Sequence, residues 1–205
     1  MNLIKLDQDI TLWINSIHDP VTDQFWYFMS DKKVWIPLYV LVLVYLFIRL
    51  GWKKALIVLA ATALTFAACD YTSNIIKHLA ERLRPCYNSD MLRGGLRILE
   101  SRGGKFGFFS AHAANAFGCY VCTFKGFRLD RSRKYLIFGV VGFAWALLVS
   151  ASRIFVGKHY FGDVLVGMAI GTIFGLLFSL LAKWVADRFI PSGSKGPSTR
   201  AVRSR

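Results

Sequence analysis

Charged residues are scarce in this chain, 19% of 205 positions, against about 25% in an ordinary soluble domain. Acidic side chains are scarcer still, 12 against 26 Lys and Arg. Four cysteines are too few for a disulfide-built scaffold, and 17 glycines too few for a collagen-like chain. Cys119 and Cys122 have no His or Cys partners at zinc spacing, and no carboxylate cluster is present to hold magnesium. The first 33 residues lack the apolar core of a signal peptide, and no period of about 20 to 50 residues repeats. What the chain does have is apolar surface: 55% hydrophobic residues, 15% aromatic and a mean hydropathy of +0.42. That excludes general disorder and points to a membrane.

Five stretches are free enough of charge to cross a bilayer: Val34 to Ile48, Ala55 to Cys69 continuing past Asp70 to Ile76, Phe106 to Phe124, Tyr135 to Ser152, and Val164 to Ala182. Before them, Leu3, Leu6, Ile10, Trp13, Ile14 and Ile17 recur at helical spacing, which predicts an amphipathic helix over Leu3 to Ile17 lying on the membrane surface. The expected fold is all-α, an integral membrane bundle of five or six helices with that interfacial helix at its start. Residues 1–190 form one domain, divided into an interfacial region over 1–33 and a transmembrane bundle over 34–190. Residues 191–205 read as a disordered basic tail, either touching anionic lipid or simply solvated. Gly167, Gly171 and Gly175 form a small-residue stripe in the last span, suited to close approach by a neighbouring helix.

Five spans put the two ends of the chain on opposite sides of the membrane. The connections on one side hold 14 Lys and Arg against 2 acids; those on the other hold 12 against 9. The positive-inside rule turns the first group toward the cytoplasm. The same division argues against nucleic acid as a partner despite the net charge of +14, because the basic residues form no continuous stripe.

The unusual polar residues gather on the other side. Lys77 and Arg84 are seven residues apart, on about one helical face, with Pro85 next. Ser110, Ala111 and His112 open the third span, where free backbone N–H groups suit an anion. Arg153 closes the fourth span, and His159 and Asp163 stand one helical turn apart before the fifth. Each has an ordinary explanation: a snorkelling cation, a hydrogen-bonded core histidine, a helix brace. Together they supply an anion clamp, a nucleophile and an acid, which is the equipment of phosphoryl transfer, whose transition state spreads charge over three equatorial oxygens.

The three segments, K-x6-R-P from Lys77 to Pro85, S-x-H from Ser110 to His112, and S-R-x5-H-x3-D from Ser152 to Asp163, resemble the signature motifs of the type 2 phosphatidic acid phosphatase superfamily in order and internal spacing. The middle motif departs from the usual P-S-G-H, with Phe109 for Pro and Ala111 for Gly. The resemblance implies a membrane lipid phosphatase with no cofactor and no metal, acting on a lipid phosphate in the bilayer; it sets no oligomeric state. It implies that His159 is the nucleophile, oriented by Asp163, and that His112 is first acid and then base. Lys77, Arg84, Arg153, Ser110 and the Ala111 backbone N–H would bind the phosphate.

Asp70 and Asn115 read either as supports of this site or as interhelix polar contacts. The loop from Cys86 to Lys105 adds Arg93, Arg97, Arg102 and Lys105, either contacts to a second phosphate or a solvated basic loop. Because that loop suits two phosphates, undecaprenyl diphosphate ranks first as substrate, then lipid A, then phosphatidylglycerophosphate or phosphatidic acid. A non-catalytic lipid or anion carrier is the rival from another class.

Overall fold

A computed structural model describes residues 2–190, and the expected tail over 191–205 lies outside the described residues. Seven α-helices and one short 3-10 turn make up the described fold: α1 (Leu3–Ser16), α2 (Pro20–Ser30), α3 (Ile36–Ala80), α4 (Ser89–Arg93), α5 (Ala111–Phe127), α6 (Leu136–Phe155) and α7 (Phe161–Phe189). The all-α expectation holds, and the count of five or six helices is exceeded because two short helices carry no long apolar run. One of these, α2, has its own start signal: Asp19 caps it, Pro20 occupies its first turn, and Thr22 completes a capping box.

Each of the five apolar stretches falls largely on a helix. The first two share α3, which breaks at Gly51, where φ is +70°. The third begins later than its apolar run, at Ala111. Two helices, α6 and α7, are long and apolar enough to cross a membrane by length and composition. Around the bundle, Leu41, Ile48, Ile137, Val140, Leu180 and Phe189 are exposed. An apolar belt of this extent is more than a soluble monomer leaves uncovered.

The core of the bundle is the pairing of α5 with α7. The glycine stripe accounts for its closeness: a Cβ on Gly167 would stand 2.5 Å from the Ser110 carbonyl oxygen, and one on Gly175 would stand 2.6 Å from that of Gly118. Gly171 approaches the Ala114 carbonyl more closely still. With no side chains between them, the two backbones bring the start of α5 and the start of α7 together.

Helix α1 is amphipathic in the sense opposite to a soluble helix. Leu3, Ile4, Leu6, Trp13 and Ile17 face outward, while Thr11 and Asn15 are buried. Asp7, Thr11 and Asn15 lie at i, i+4 and i+8 and form a polar stripe turned toward the protein. Asn15 donates to the carbonyls of Arg97, Ile154 and Phe155 and accepts from the Arg97 N–H; Thr11 and Asp7 accept from the N–H groups of Phe161 and Gly162. The outward apolar face agrees with a helix lying in the membrane interface.

Placing a methyl on Gly171 should push α5 and α7 apart and cost roughly 1–3 kcal/mol. Gly171→Ala is expected to lower the melting temperature of the protein in detergent, beside an unaffected Gly104→Ala, where nothing lies within 4 Å of the added carbon. Equal stability of the two variants would show that the close approach is not required.

Candidate active site

The site is assembled from the starts of α5 and α7, the end of α6, and the segment that follows α3. Helix α3 stops at Ala80, earlier than the proline implied, because Glu81 adopts a left-handed conformation with φ of 45°. Arg84 is therefore not on the helical face of Lys77. It returns to the site through an antiparallel bridge between Leu83 and Phe106, in which the Gly107 N–H donates to the Arg82 carbonyl and the Arg84 N–H to the Lys105 carbonyl. In this extended stretch Arg82 and Arg84 point to the same side.

His159 and Asp163 also differ from the expected helical brace. Helix α7 begins at Phe161, so His159 precedes it, and Asp163 sits in its first turn, where Oδ2 accepts from the Tyr160 N–H at 3.2 Å. The same oxygen is 3.4 Å from His159 Nδ1, and that nitrogen is buried with no hydrogen-bond partner. Oδ1 of Asp163 is held by Arg82 at 2.5 Å, and Arg82 is held in turn by Asp7 of α1 at 2.6 Å. Asp163 has no exposed side-chain surface, so its charge depends on these partners. The attraction of both carboxylates outweighs burial and raises the Arg82 pKa.

The charges of Arg153, Arg84, Lys77 and Lys158 all reach the His159 imidazole. Burial first, and then these four cations, push its pKa well below the ordinary 6.5. The imidazole is neutral at neutral pH, and with Nδ1 turned toward Asp163, Nε2 is left as the ring nitrogen able to attack. His112 stands at the start of α5, within reach of the charges of Arg153, Lys32 and Lys77. Ser110 caps this helix, its hydroxyl 3.4 Å from the Ala113 N–H, and its own N–H donates to the Asp163 carbonyl at 3.0 Å. The Ala111 N–H belongs to the same helix start, which is oriented to receive an anion.

The cations are held in place by groups the sequence did not single out. Ser30 and Glu100 grip Arg153, the nearer Glu100 oxygen at 3.3 Å. Arg84 donates to the carbonyls of Phe106 at 3.1 Å and Arg102 at 3.4 Å. Lys158 donates to the carbonyls of Ser101 and Arg102. Its pKa is lowered by burial and then by Arg84 and Arg153. A Cβ on Gly103 would stand 3.3 Å from both Arg84 Nη1 and Lys158 Nζ, so this loop is fitted between the two cations.

Four expected supports stand apart from this cluster. Arg93 is exposed and paired with Asp90; Arg97 forms a two-pronged pair with Asp23 of α2. Asp70 is exposed and, among the described residues, forms no ion pair, although it lies on the side of Lys77. Asn115 has a buried Oδ1 with no partner. Among the described residues no three His, Cys, Asp or Glu side chains are grouped to hold a metal ion.

A neutral buried histidine beside a carboxylate, under converging cations and a helix start, is a site for phosphoryl chemistry. Residues 54–187 match the PAP2 superfamily. The chain is 36% identical over 191 residues to a lipid A 4'-phosphatase of Bacteroides thetaiotaomicron, covering 91% of this chain and 81% of that one. It is 30% identical over 174 residues to a lipid A 4'-phosphatase of Porphyromonas gingivalis, covering 84% and 71%. The crystal structure of a transmembrane PAP2 type phosphatidylglycerolphosphate phosphatase from Bacillus subtilis superposes with a TM-score of 0.72 at 21% identity, covering 90% and 89% of the two chains. That of Aquifex aeolicus LpxE superposes with a TM-score of 0.60 at 25% identity, covering 84% and 93%.

The chain therefore belongs to the PAP2 superfamily. It is a membrane-associated lipid phosphatase of that superfamily.

Two measurements check the geometry. Arg82→Gln leaves Asp163 buried without its strongest partner and should lower kcat by about 10- to 100-fold, roughly 1.4–2.8 kcal/mol of barrier, with little change in KM. Unchanged kcat would remove Arg82 from the positioning of the carboxylate. In protein labelled with 15N at histidine, the His159 ring should remain neutral on acidification through its ordinary value of 6.5. Protonation with a midpoint at or above 6.5 would contradict the cation cluster.

Proposed function

We propose that the chain removes the 4'-phosphate of lipid A through a phosphohistidine intermediate on His159. The observation that carries this reading is the His159 imidazole, buried just before the start of α7 with its Nδ1 3.4 Å from Asp163 Oδ2. The reading of lipid A as substrate is supported by the two curated relatives. It is also supported by the fate of the basic loop: of the four cations the diphosphate ranking leaned on, Arg93, Arg97, Arg102 and Lys105, the first two are paired with Asp90 and Asp23.

In the first step His159 Nε2 attacks phosphorus, the bond from phosphorus to the sugar oxygen breaks, and His112, which takes up a proton once the anionic phosphate offsets the cations around it, gives that proton to the departing oxygen. Positive charge grows on the ring as the N–P bond forms, and it draws Nδ1–H and Asp163 Oδ2, 3.4 Å apart in the resting site, into a hydrogen bond. In the second step His112 takes a proton from water, the resulting hydroxide attacks phosphorus, and the N–P bond breaks to release phosphate and regenerate His159. Lys77, Arg84 and Arg153, with Lys158 beside them, neutralise the three equatorial oxygens, and the N–H groups at Ala111 and His112 complete the cradle. These fixed cations do what a magnesium ion does in other phosphoryl transfers.

The single domain over 1–190 crosses the membrane five times in this reading, with the catalytic end at the outer face of the inner membrane. A lipid with its tails in the bilayer then presents its phosphate at headgroup depth. The non-catalytic carrier is disfavoured by a nucleophile, an acid and a clamp gathered in one place.

Phosphate release by purified protein, in detergent with a chelator, should show a higher kcat/KM on lipid A than on undecaprenyl diphosphate, phosphatidylglycerophosphate or phosphatidic acid. A preference for undecaprenyl diphosphate would overturn the substrate assignment. His159→Ala and His112→Ala should each lose about a thousandfold or more of kcat while remaining folded. Parental turnover in either would remove that residue from the mechanism, and lipid movement across vesicles unaffected by His159→Ala would favour the carrier.

A further inference from the structure

At the other end of the bundle, the last turns of α5 and α7, the bend of α3 at Gly51 and the loop before α6 enclose a cavity of about 560 Å³. The twenty residues of α7 from Asp163 to Lys183 put about 30 Å of helix between it and the catalytic centre. Its wall carries six cations, Arg49, Lys54, Lys125, Arg128, Arg131 and Lys183, against two carboxylates, Asp130 and Asp187.

Both carboxylates are already engaged. Arg49 holds Asp130 at 2.6 Å, with the Tyr135 hydroxyl and the Ser132 N–H on the same side chain, and these bonds hold the Asp130 carboxyl below its ordinary range despite the opposing effect of burial. Lys183 holds Asp187 at 2.6 Å, with Arg131 and Lys54 facing it from further away. That leaves Lys54, Lys125, Arg128 and Arg131 with no side-chain hydrogen bond or ion pair among the described residues. Four like charges around one recess repel one another, and an anion seated among them would relieve that repulsion.

The recess is not purely polar. Leu50, Leu129, Leu180 and Ile190 share its wall, and Leu180, 65% exposed, leads along α7 to the exposed apolar belt at Leu177 and Leu176. A small soluble anion would use the cations alone; an amphiphile would use both surfaces. The chain's own remaining segment does not suit the recess, since residues 191–205 carry Lys195, Arg200, Arg203 and Arg205 and no acidic side chain.

We propose that this recess binds the phosphate headgroup of an anionic membrane phospholipid, whose acyl chains run along the apolar face of α7. The bound lipid ties α3, α5 and α7 together at the end of the bundle remote from catalysis.

The test is native mass spectrometry of the full chain in detergent, titrated with phosphatidylglycerol, with phosphatidylcholine, and with phosphatidylglycerol plus millimolar inorganic phosphate. Phosphatidylglycerol should be retained and phosphatidylcholine should not. The exposed substitutions Lys125→Gln, Arg128→Gln and Arg131→Gln, combined, should weaken retention at least tenfold while phosphatase turnover stays at the parental level. Retention unchanged in the triple variant, or abolished by Arg84→Gln in the catalytic clamp instead, would overturn the assignment. Displacement by inorganic phosphate would show that the recess takes a soluble anion, which would equally overturn a lipid site.

Discussion

The Asp163 carboxylate has no exposed surface, and the catalytic end of the molecule is arranged around keeping it charged. An ionised carboxylate removed from water is stable only with charged and hydrogen-bonding partners around it. Its neighbours come from two parts of the chain: Arg82 from the extended stretch after α3, and the Tyr160 N–H and the His159 ring from the turn into α7. Arg82 is anchored in turn by Asp7 of the first helix. The carboxylate beside His159 is thus also the point where, through Arg82 and Asp7, the first helix and the segment following α3 join the bundle.

This arrangement explains two features that would otherwise be odd. A helix with its polar stripe turned inward is unsuited to a soluble protein, but here the stripe of Asp7, Thr11 and Asn15 serves as partner to Arg82, to the N–H groups that open α7, and to the loop at Arg97. Its outward face of Leu3, Leu6, Trp13 and Ile17 is left for lipid. The glycine stripe of α7 fits the same logic. Close contact between α5 and α7 lets the Ser110 N–H reach the Asp163 carbonyl, which fixes the start of α5 relative to His159.

The long apolar runs and the three motifs were legible because each is written in adjacent residues: a period, a proline, a serine at a helix start, a fixed interval to a histidine. Lys77, Arg84, Ser110, His112, Arg153, His159 and Asp163 stand at one end of the bundle, but Arg84 returns through an extended stretch and His159 precedes its helix, not on the helical faces their spacing implied. What the sequence hid were partners brought in by tertiary folding. Ser30 and Glu100 around Arg153, Lys32 near His112 and Asp7 on Arg82 lie far along the chain from what they touch, with no local pattern to mark them. Arg82 and Lys158 sat inside the motif intervals and could have been suspected; Arg82 stands two residues before Arg84, a pairing that matters only because the chain is extended there and not helical. Arg93 and Arg97 misled for the converse reason: a basic loop looks available until its acidic partners on the surface and on α2 are seen.

The proposed mechanism requires His159 to form a bond to phosphorus. Wild-type protein mixed with lipid A carrying 32P in its phosphates and quenched in alkali within milliseconds should retain label on the polypeptide, stable to base and released by acid, as a phosphoramidate bond to histidine requires. The label should be absent from His159→Ala. Turnover of the labelled lipid with no such protein-bound phosphate at any quench time, or label that persists in His159→Ala, would contradict it.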